Sequence, residues 1–240
     1  MGSRYTRRFA TLPGTPQMNR ETNYKFLEHY QSWRPNRISK IEKIFGQEFF
    51  KNKTILELAC GFGDIGKHFR EKLGANVCFA EGRKQHLPVI LEYNPDCEVL
   101  HLNQEDDWNL DRKFDIIIHF GVMYHLDNWK QDLECALKHT DLIILESEIA
   151  NSNEVIEKKV TDPDGYDQAL NKKKIATRPS ASYVEKVFED CGFEFTRYDD
   201  ADLNDDTHRY DWPVTGNADR DDYTRYDDVG LRRFWVAKRK

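Results

Sequence analysis

Residues 54–66 read Thr-Ile-Leu-Glu-Leu-Ala-Cys-Gly-Phe-Gly-Asp-Ile-Gly, and two features of this run are suited to chemistry. Gly61, Gly63 and Gly66 are spaced as GxGxxG. The missing side chains let such a loop turn sharply and approach a ligand closely. Taken alone, that spacing after a strand suggests a dinucleotide whose diphosphate rests on the next helix N-terminus. Glu57, just ahead of the loop, argues against that ligand. A carboxylate there repels a diphosphate and attracts an ammonium or sulfonium cation. A second acid, Glu81, ends the next apolar run eighteen residues after Gly63. From that position a carboxylate can accept hydrogen bonds from both ribose hydroxyls.

The elements that must hold these residues follow from the hydrophobic pattern. Short apolar runs at 54–58, 77–81, 98–102, 115–120, 142–146, 193–198 and 231–237 alternate with helical patterns at 64–73, 84–93, 129–138 and 180–191. That alternation predicts βαβ units and a mostly parallel sheet. Runs that are apolar throughout, such as Ile116-Ile117-Ile118, read as strands covered on both faces. Residues 1–20 are expected to be a flexible arm broken by Pro13 and Gly14. Residues 21–53 are expected to form N-terminal helices divided at Pro35, with Tyr30, Trp33 and Arg34 placed to cover the site as a lid. Residues 54–240 form the main domain. Within it, the stretches 150–179 and 199–228 interrupt the rhythm as insertions on the substrate side.

The segment 54–66 resembles the first motif of class I S-adenosylmethionine-dependent methyltransferases, an acid followed by small residues at alternate positions: Glu57, Ala59, Gly61 and Gly63. Ala59 stands where glycine is common, a mild departure. The likeness continues through Glu81, through Asn103-Gln104-Glu105-Asp106, and through the run from Phe114 to Leu126. It covers roughly residues 50–150. It implies an α/β, Rossmann-like sheet of seven mostly parallel strands flanked by helices. The last strand is antiparallel and is preceded by the Asp-rich insertion. It implies S-adenosylmethionine as cofactor, held by Glu57, Ala59, Cys60, Gly61, Gly63, Glu81, Gly82, Gln104, His119 and Gly121. Either Glu105 or Asp106 would lie beside the adenine amino group.

Transfer to a hydroxyl needs a base. His125, in the loop after the fourth strand, is the first candidate, because imidazole titrates near neutrality and ligands bind at the carboxyl ends of such strands. His208 and Glu148 come next. Tyr124, Arg178 and the run Tyr210-Asp211-Trp212 are the expected acceptor contacts. Glu146, Ser147 and Glu148 end the fifth strand and are expected to point toward the same side, and Arg178 with Arg232-Arg233 could recognise a phosphate or carboxylate. The aromatic and acidic insertion suggests a small hydroxylated acceptor such as a saccharide. The run 121–126, with the later run 178–185, also resembles methyltransferases acting on saccharides and on tRNA wobble uridine derivatives. An RNA acceptor is therefore the alternative, and a cofactor-binding module without turnover is a third reading. No metal is expected, since the Asp-rich run lacks the EF-hand spacing.

Charge and composition narrow the class. The net charge is −6. Residues 199–228 carry eleven aspartates against three arginines, whereas residues 1–53 carry eleven lysines and arginines against four glutamates. The modest basic excess at one end does not favour a long polynucleotide partner. The five cysteines are scattered with no CxxC pair, which suits a reducing, cytoplasmic setting. Mean hydropathy is −0.80, and no run has the length of a membrane span.

Overall fold

The computed structural model describes residues 33–161, 175–205, 208–215 and 230–240. The apolar runs become strands. β1 (Thr54–Leu58) lies centrally, parallel to β2 (Asn76–Glu81) on one side and to β4 (Ile116–Phe120) on the other. β3 (Glu98–His101) extends the sheet beyond β2, and β5 (Leu142–Glu148) extends it beyond β4. β10 (Gly230–Arg239) then runs antiparallel between β5 and β8 (Phe193–Tyr198). The seven-strand order is β3-β2-β1-β4-β5-β10-β8. This is the Rossmann-like architecture the sequence implied, and its order reverses beside β1. In open α/β sheets such a reversal, at the carboxyl ends of β1 and β4, is where ligands bind.

Side-chain alternation divides the interior into two cores. On one face, α1 (Trp33–Phe45), α2 (Asp64–Leu73) and α3 (Leu87–Tyr93) bury Ile41, Phe69 and Ile90 against Ile55, Phe79, Ile118 and Phe234. On the other, α4 (Trp129–Lys138) and α5 (Ala181–Asp190) bury Leu133, Val184 and Phe188 against Leu56, Ile117, Leu145 and Trp235. The consecutive isoleucines of β4 serve both cores, as a strand covered on both faces requires. Ser180 caps α5 by accepting a hydrogen bond from the Tyr183 amide, the usual role of serine at a helix start.

Some elements differ from expectation. The helix expected at 84–93 begins at Leu87, because a turn closes with the His86 amide donating to the Arg83 carbonyl at 3.0 Å. Pro88 occupies the first turn of the helix, where its missing N–H costs little. The stretch 150–179, read as an insertion, contains the antiparallel pair β6 (Glu157–Thr161) and β7 (Ile175–Pro179). Pro35 falls in the first turn of α1. The expected arm 1–20, the preceding helix within 21–32, and residues 162–174, 206–207 and 216–229 of the two insertions lie outside the described residues. Between them, β9 (His208–Arg209) pairs in parallel with the start of β10. Among the described residues no helix is long and apolar enough to cross a membrane.

Gly66 sets how closely α2 lies on the sheet. A Cβ there would collide with Glu57 Oε2 and stand 2.5 Å from Phe79 Cε1 and 2.8 Å from Val77 Cγ1. Gly66→Ala is therefore expected to lower stability by about 1–3 kcal/mol, read as a lower urea midpoint. An unchanged midpoint would mean that α2 has room to move off β1 and β2.

Candidate active site

The glycine loop lies across the ends of β1 and β2. The Cys60 amide donates to the Ala80 carbonyl at 3.1 Å, and the Gly63 amide donates to the Cys60 carbonyl at 2.8 Å. Three residues in five take left-handed backbone: Ala59 at φ 48°, Gly61 at 61° and Gly63 at 81°. For Ala59 this conformation costs on the order of 1 kcal/mol that glycine avoids. The departure that looks mild by side-chain size thus carries a backbone cost. Glu81 ties the loop to β2: its Oε2 accepts from the Gly61 amide at 2.9 Å and its Oε1 from the Arg83 amide at 2.8 Å. The carbonyl of Gly82 stands 3.1 Å from His101 Nε2.

Glu57 faces α2 and not an open mouth. Its Oε2 accepts from the Gly66 amide at 2.9 Å, and the residue is 3% exposed. Burial pushes this carboxyl up to about 8, against the opposing pull of that amide and of Arg34. Arg34 itself pairs with Asp64 at the start of α2. Held protonated by burial, this acid carries no charge of its own near neutrality; a cationic ammonium or sulfonium beside it would favour its ionised form and be attracted in turn, which a diphosphate would not. The residues present therefore fit S-adenosylmethionine, with Glu57 and Glu81 on the glycine-loop side.

On the side where the adenine is expected, one buried carboxylate organises several groups. Asp132 of α4 accepts from Trp108 Nε1 at 2.8 Å, lies 2.6 Å from His119 Nε2, and stands 3.5 Å from Gln104 Nε2. The His119 side chain is fully buried in this cluster. Glu105 accepts from the Asp127 amide at 3.0 Å, and Asp106 from Asn103 Nδ2 at 3.4 Å. Asp132 was not singled out from sequence. Its signal was an acid on the apolar face of a helix, between Trp129 and Leu133. Gly121, at φ 67°, carries the Trp33 ring of α1 so closely that a Cβ would stand 3.1 Å from it.

The side expected to take the acceptor centres on Glu146, which is buried at the end of β5. It accepts from Tyr210 Oη at 2.9 Å and Arg232 Nη1 at 3.0 Å, with Arg37 Nη2 at 3.4 Å. Burial pushes Glu146 up, but Arg232 and Arg37 outweigh it and hold the carboxyl below its ordinary value. Glu148 pairs with Arg178 at 3.3 Å and Arg232 at 3.8 Å. Those two guanidinium groups lie 4.8 and 4.7 Å from the centre of the Tyr124 ring. His125 stands beside Tyr124, with ring centroids 4.0 Å apart.

His208 Nδ1 lies 3.0 Å from the Asp205 carboxylate, and its ring centroid is 6.1 Å from Trp33. Burial, then Arg232 and Arg37, push His208 down to about 4 despite Asp205. Tyr124, Arg178, Glu148, His208 and Tyr210 thus share one neighbourhood. Asp211 and Trp212 face elsewhere. Asp211 is exposed and accepts from Asn204, while Trp212 donates to the Arg232 carbonyl at 3.1 Å and stacks under Arg233. Arg37 and Asp205 went unnoticed in the sequence, because a lone arginine in a basic helix and one aspartate among eleven carry no local mark. Among the described residues, no three His, Cys, Asp or Glu side chains form a group that could hold a metal ion.

Two buried groups give opposite pH dependences. Glu57 binds its proton more tightly when folded, so its stabilisation is complete below its ordinary value of 4.5 and is lost as pH rises through about 8. His208 does the reverse: its stabilisation is complete above 6.5 and is lost as pH falls through about 4. At full development Glu57 is worth on the order of 5 kcal/mol and His208 on the order of 3 kcal/mol. From these two groups, stability should change little from pH 4.5 to 6.5 and fall toward pH 8. Glu57→Gln should convert this to a rise up to about pH 6.5 followed by a plateau. Denaturant midpoints across this range check the pattern, and identical profiles for both proteins would contradict it.

The geometry meets its relatives at this point. Residues 30–198 match the family model described as a methyltransferase domain. No curated protein sequence matches the chain. Among solved structures, the N-terminal domain of EvdMO1, crystallised with SAH and D-fucose, superposes with a TM-score of 0.60 at 16% identity, covering 94% of this chain and 99% of that one. The DhpI–SAH complex gives 0.56 at 15% identity, covering 92% and 90%. Magnesium protoporphyrin IX methyltransferase (ChlM) from Synechocystis PCC 6803, with bound SAM, gives 0.55 at 15% identity, covering 95% and 87%. At these identities the superpositions speak for the fold, and the family match speaks for the activity. The chain belongs to the methyltransferase-domain family, as a class I S-adenosylmethionine-dependent methyltransferase.

Proposed function

We propose that this enzyme methylates a hydroxyl of a small, uncharged acceptor of saccharide type, with His208 as the base. The observation that carries this reading is the closure of charge around the acceptor side. Arg37, Arg178 and Arg232 are matched there by Glu146, Glu148 and Asp205. Such a wall offers no surplus charge to an anionic substrate, and its polar groups suit a hydroxylated one. One fold relative, the EvdMO1 domain, was crystallised with a sugar, D-fucose.

When bound, S-adenosylmethionine supplies an activated methyl group and leaves as a neutral thioether. The chain must align the acceptor and take its proton. The Asp205 carboxylate beside Nδ1 orients the His208 ring and favours the tautomer with the lone pair on Nε2. Its low basicity keeps the imidazole neutral at physiological pH. Glu148 is already the counter-charge of Arg178 and Arg232, which makes it a poorer base. His125 is the second choice. Tyr124, Tyr210 and Arg178 would line the acceptor. Backbone of Ala59, Cys60, Gly61, Gly63, Gly82 and Gly121, together with Glu81, Gln104 and Glu105 or Asp106, would hold the cofactor. The segment 21–53 would cover it.

The RNA reading needs uncommitted cations to track phosphates. Those of α1 are largely committed: Lys40 pairs with Asp200 at 2.6 Å, Lys43 with Asp202 at 2.8 Å, and Arg37 with Glu146. The test is methyl transfer from labelled cofactor to a panel of sugars, phosphorylated sugars and tRNA. Neutral sugars should be methylated, and His208→Gln should lower kcat by about 10²–10³-fold with cofactor affinity unchanged. Full activity of that variant would remove the base assignment. Methylation of tRNA, with binding that weakens steeply in salt, would replace the acceptor class.

A further inference from the structure

His208 sits on β9, a strand of two residues paired with Gly230 and Leu231 of β10. So short a strand fixes a side chain loosely, yet a general base must be held within about 0.5 Å and 10–20° of its working geometry. Part of the restraint is local. The His208 amide donates to Asp205 Oδ1 at 2.9 Å, and the Asp205 amide donates to the His208 carbonyl at 3.1 Å. The ring itself lies 3.0 Å from the same carboxylate. These bonds join the two residues into one unit, but they do not fix that unit relative to the rest of the site.

α1 supplies the second restraint from one face. Trp33, Asn36 and Arg37 are spaced i, i+3 and i+4, so they project to the same side of the helix. Asn36 Nδ2 donates to the Asn204 carbonyl at 2.7 Å, and Arg37 Nη1 stands 3.8 Å from the Asp205 carboxylate. Arg37 Nη2 donates to Tyr210 Oη. The Arg37 guanidinium also lies 3.9 Å from the centre of the Trp33 ring, and that ring lies 6.1 Å from His208. Two consecutive residues of α1 thus touch the chain on both flanks of His208: Asn204 and Asp205 before it, Tyr210 after it. The flanks are joined in turn, since the Tyr210 amide donates to Asn204 Oδ1 at 2.8 Å. Arg37 is fully buried, so close packing keeps its guanidinium from following a shifting Asp205.

We propose that Asn36 and Arg37 are positioning residues for His208, which make the aim of the base depend on the docking of α1. Arg37 acts through Asp205 and Tyr210, and Asn36 acts through Asn204. The inference rests on the reading of His208 as the base, and it concerns proton removal, not cofactor binding.

The test follows His208 directly, by NMR of the enzyme carrying isotope-labelled histidine, with the His208 signals assigned by their loss in His208→Gln. In the unmodified enzyme the ring should show one tautomer, protonated on Nδ1 beside Asp205. Asn36→Ala and Arg37→Gln should average these signals toward a mixture of tautomers. In parallel, with whichever neutral sugar of the panel is methylated, Asn36→Ala should lower kcat by about 10-fold and Arg37→Gln by about 10²-fold, with cofactor affinity unchanged by calorimetry. When His208 is already Gln, neither should lower kcat further by more than about twofold, since no base is left to aim. Lys43→Ala, which removes an outer ion pair to Asp202 in the same interface, should leave the signals and kcat as they are. Unaltered His208 signals in both α1 variants overturn the proposal, as do kcat losses that persist undiminished in the His208→Gln background. An equal effect of Lys43→Ala also overturns it, because docking in general would then suffice. Cofactor affinity reports folding, and Asn36→Ala carries the test should Arg37→Gln not fold. The NMR arm needs no acceptor: unaltered signals count against the two α1 residues alone, whereas full activity of His208→Gln counts against the base.

Discussion

One carboxylate, Glu146, decides whether the acceptor side exists as a structure. Taking an acid wholly out of water costs several kcal/mol unless charges and hydrogen bonds compensate it. Here the compensation comes from three segments far apart in the chain. Arg37 of α1 is 109 residues away, Tyr210 of the Asp-rich insertion 64, and Arg232 of β10 86. Each partner would itself be costly to bury alone, and Arg37 is fully buried. None of the four can be accommodated without the others. The N-terminal helix, the insertion and the antiparallel strand therefore dock together or not at all, as expected of a satisfied buried network.

The same logic explains the lopsided charge of the sequence. Among the described residues, α1 and the start of the Asp-rich insertion are opposite halves of one interface. Lys40 and Lys43 of α1 meet Asp200 and Asp202, and Asn36 donates to the Asn204 carbonyl at 2.7 Å. The outer pairs are partly exposed and contribute little each. Their value lies in register: they bring α1 to the position where Arg37 reaches Glu146 and Trp33 reaches Gly121.

What could be read from sequence was what is encoded locally. The glycine loop was legible because its backbone needs are met by residues within a dozen positions, as the left-handed Gly61 and Gly63 show. Strands buried on both faces were legible because Ile116-Ile117-Ile118 can satisfy two cores at once. The β6–β7 pair was not, because Lys158 and Lys159 give a polar strand without alternation toward a core. The orientation of Glu57 was also hidden. Its position at a strand end was visible, but the Gly66 amide it accepts from depends on how α2 folds back. Asp205 lies three residues from His208. It stood unmarked among other aspartates, because only the distant Arg37 and Glu146 give that pair a buried setting.

The electrostatics also constrain the order of events in the proposed reaction. His208 is a weak base, because burial, and after it Arg232, lower its basicity by more than Asp205 raises it. Such an imidazole cannot deprotonate an unreacted sugar hydroxyl to any useful extent. It readily takes the proton from a hydroxyl oxygen that has begun to bond to the methyl carbon, since that oxygen becomes strongly acidic as its positive charge develops. Bond formation must then lead and proton transfer follow. Asp205 stabilises the imidazolium for the moment it exists, and burial together with Arg232 ensures that it gives the proton up. A stronger base would lie protonated near neutral pH and start each cycle in the wrong state. The arginine-rich wall around Glu146 thus serves two ends, fastening the segments that build the site and keeping His208 neutral until the acceptor oxygen has turned acidic.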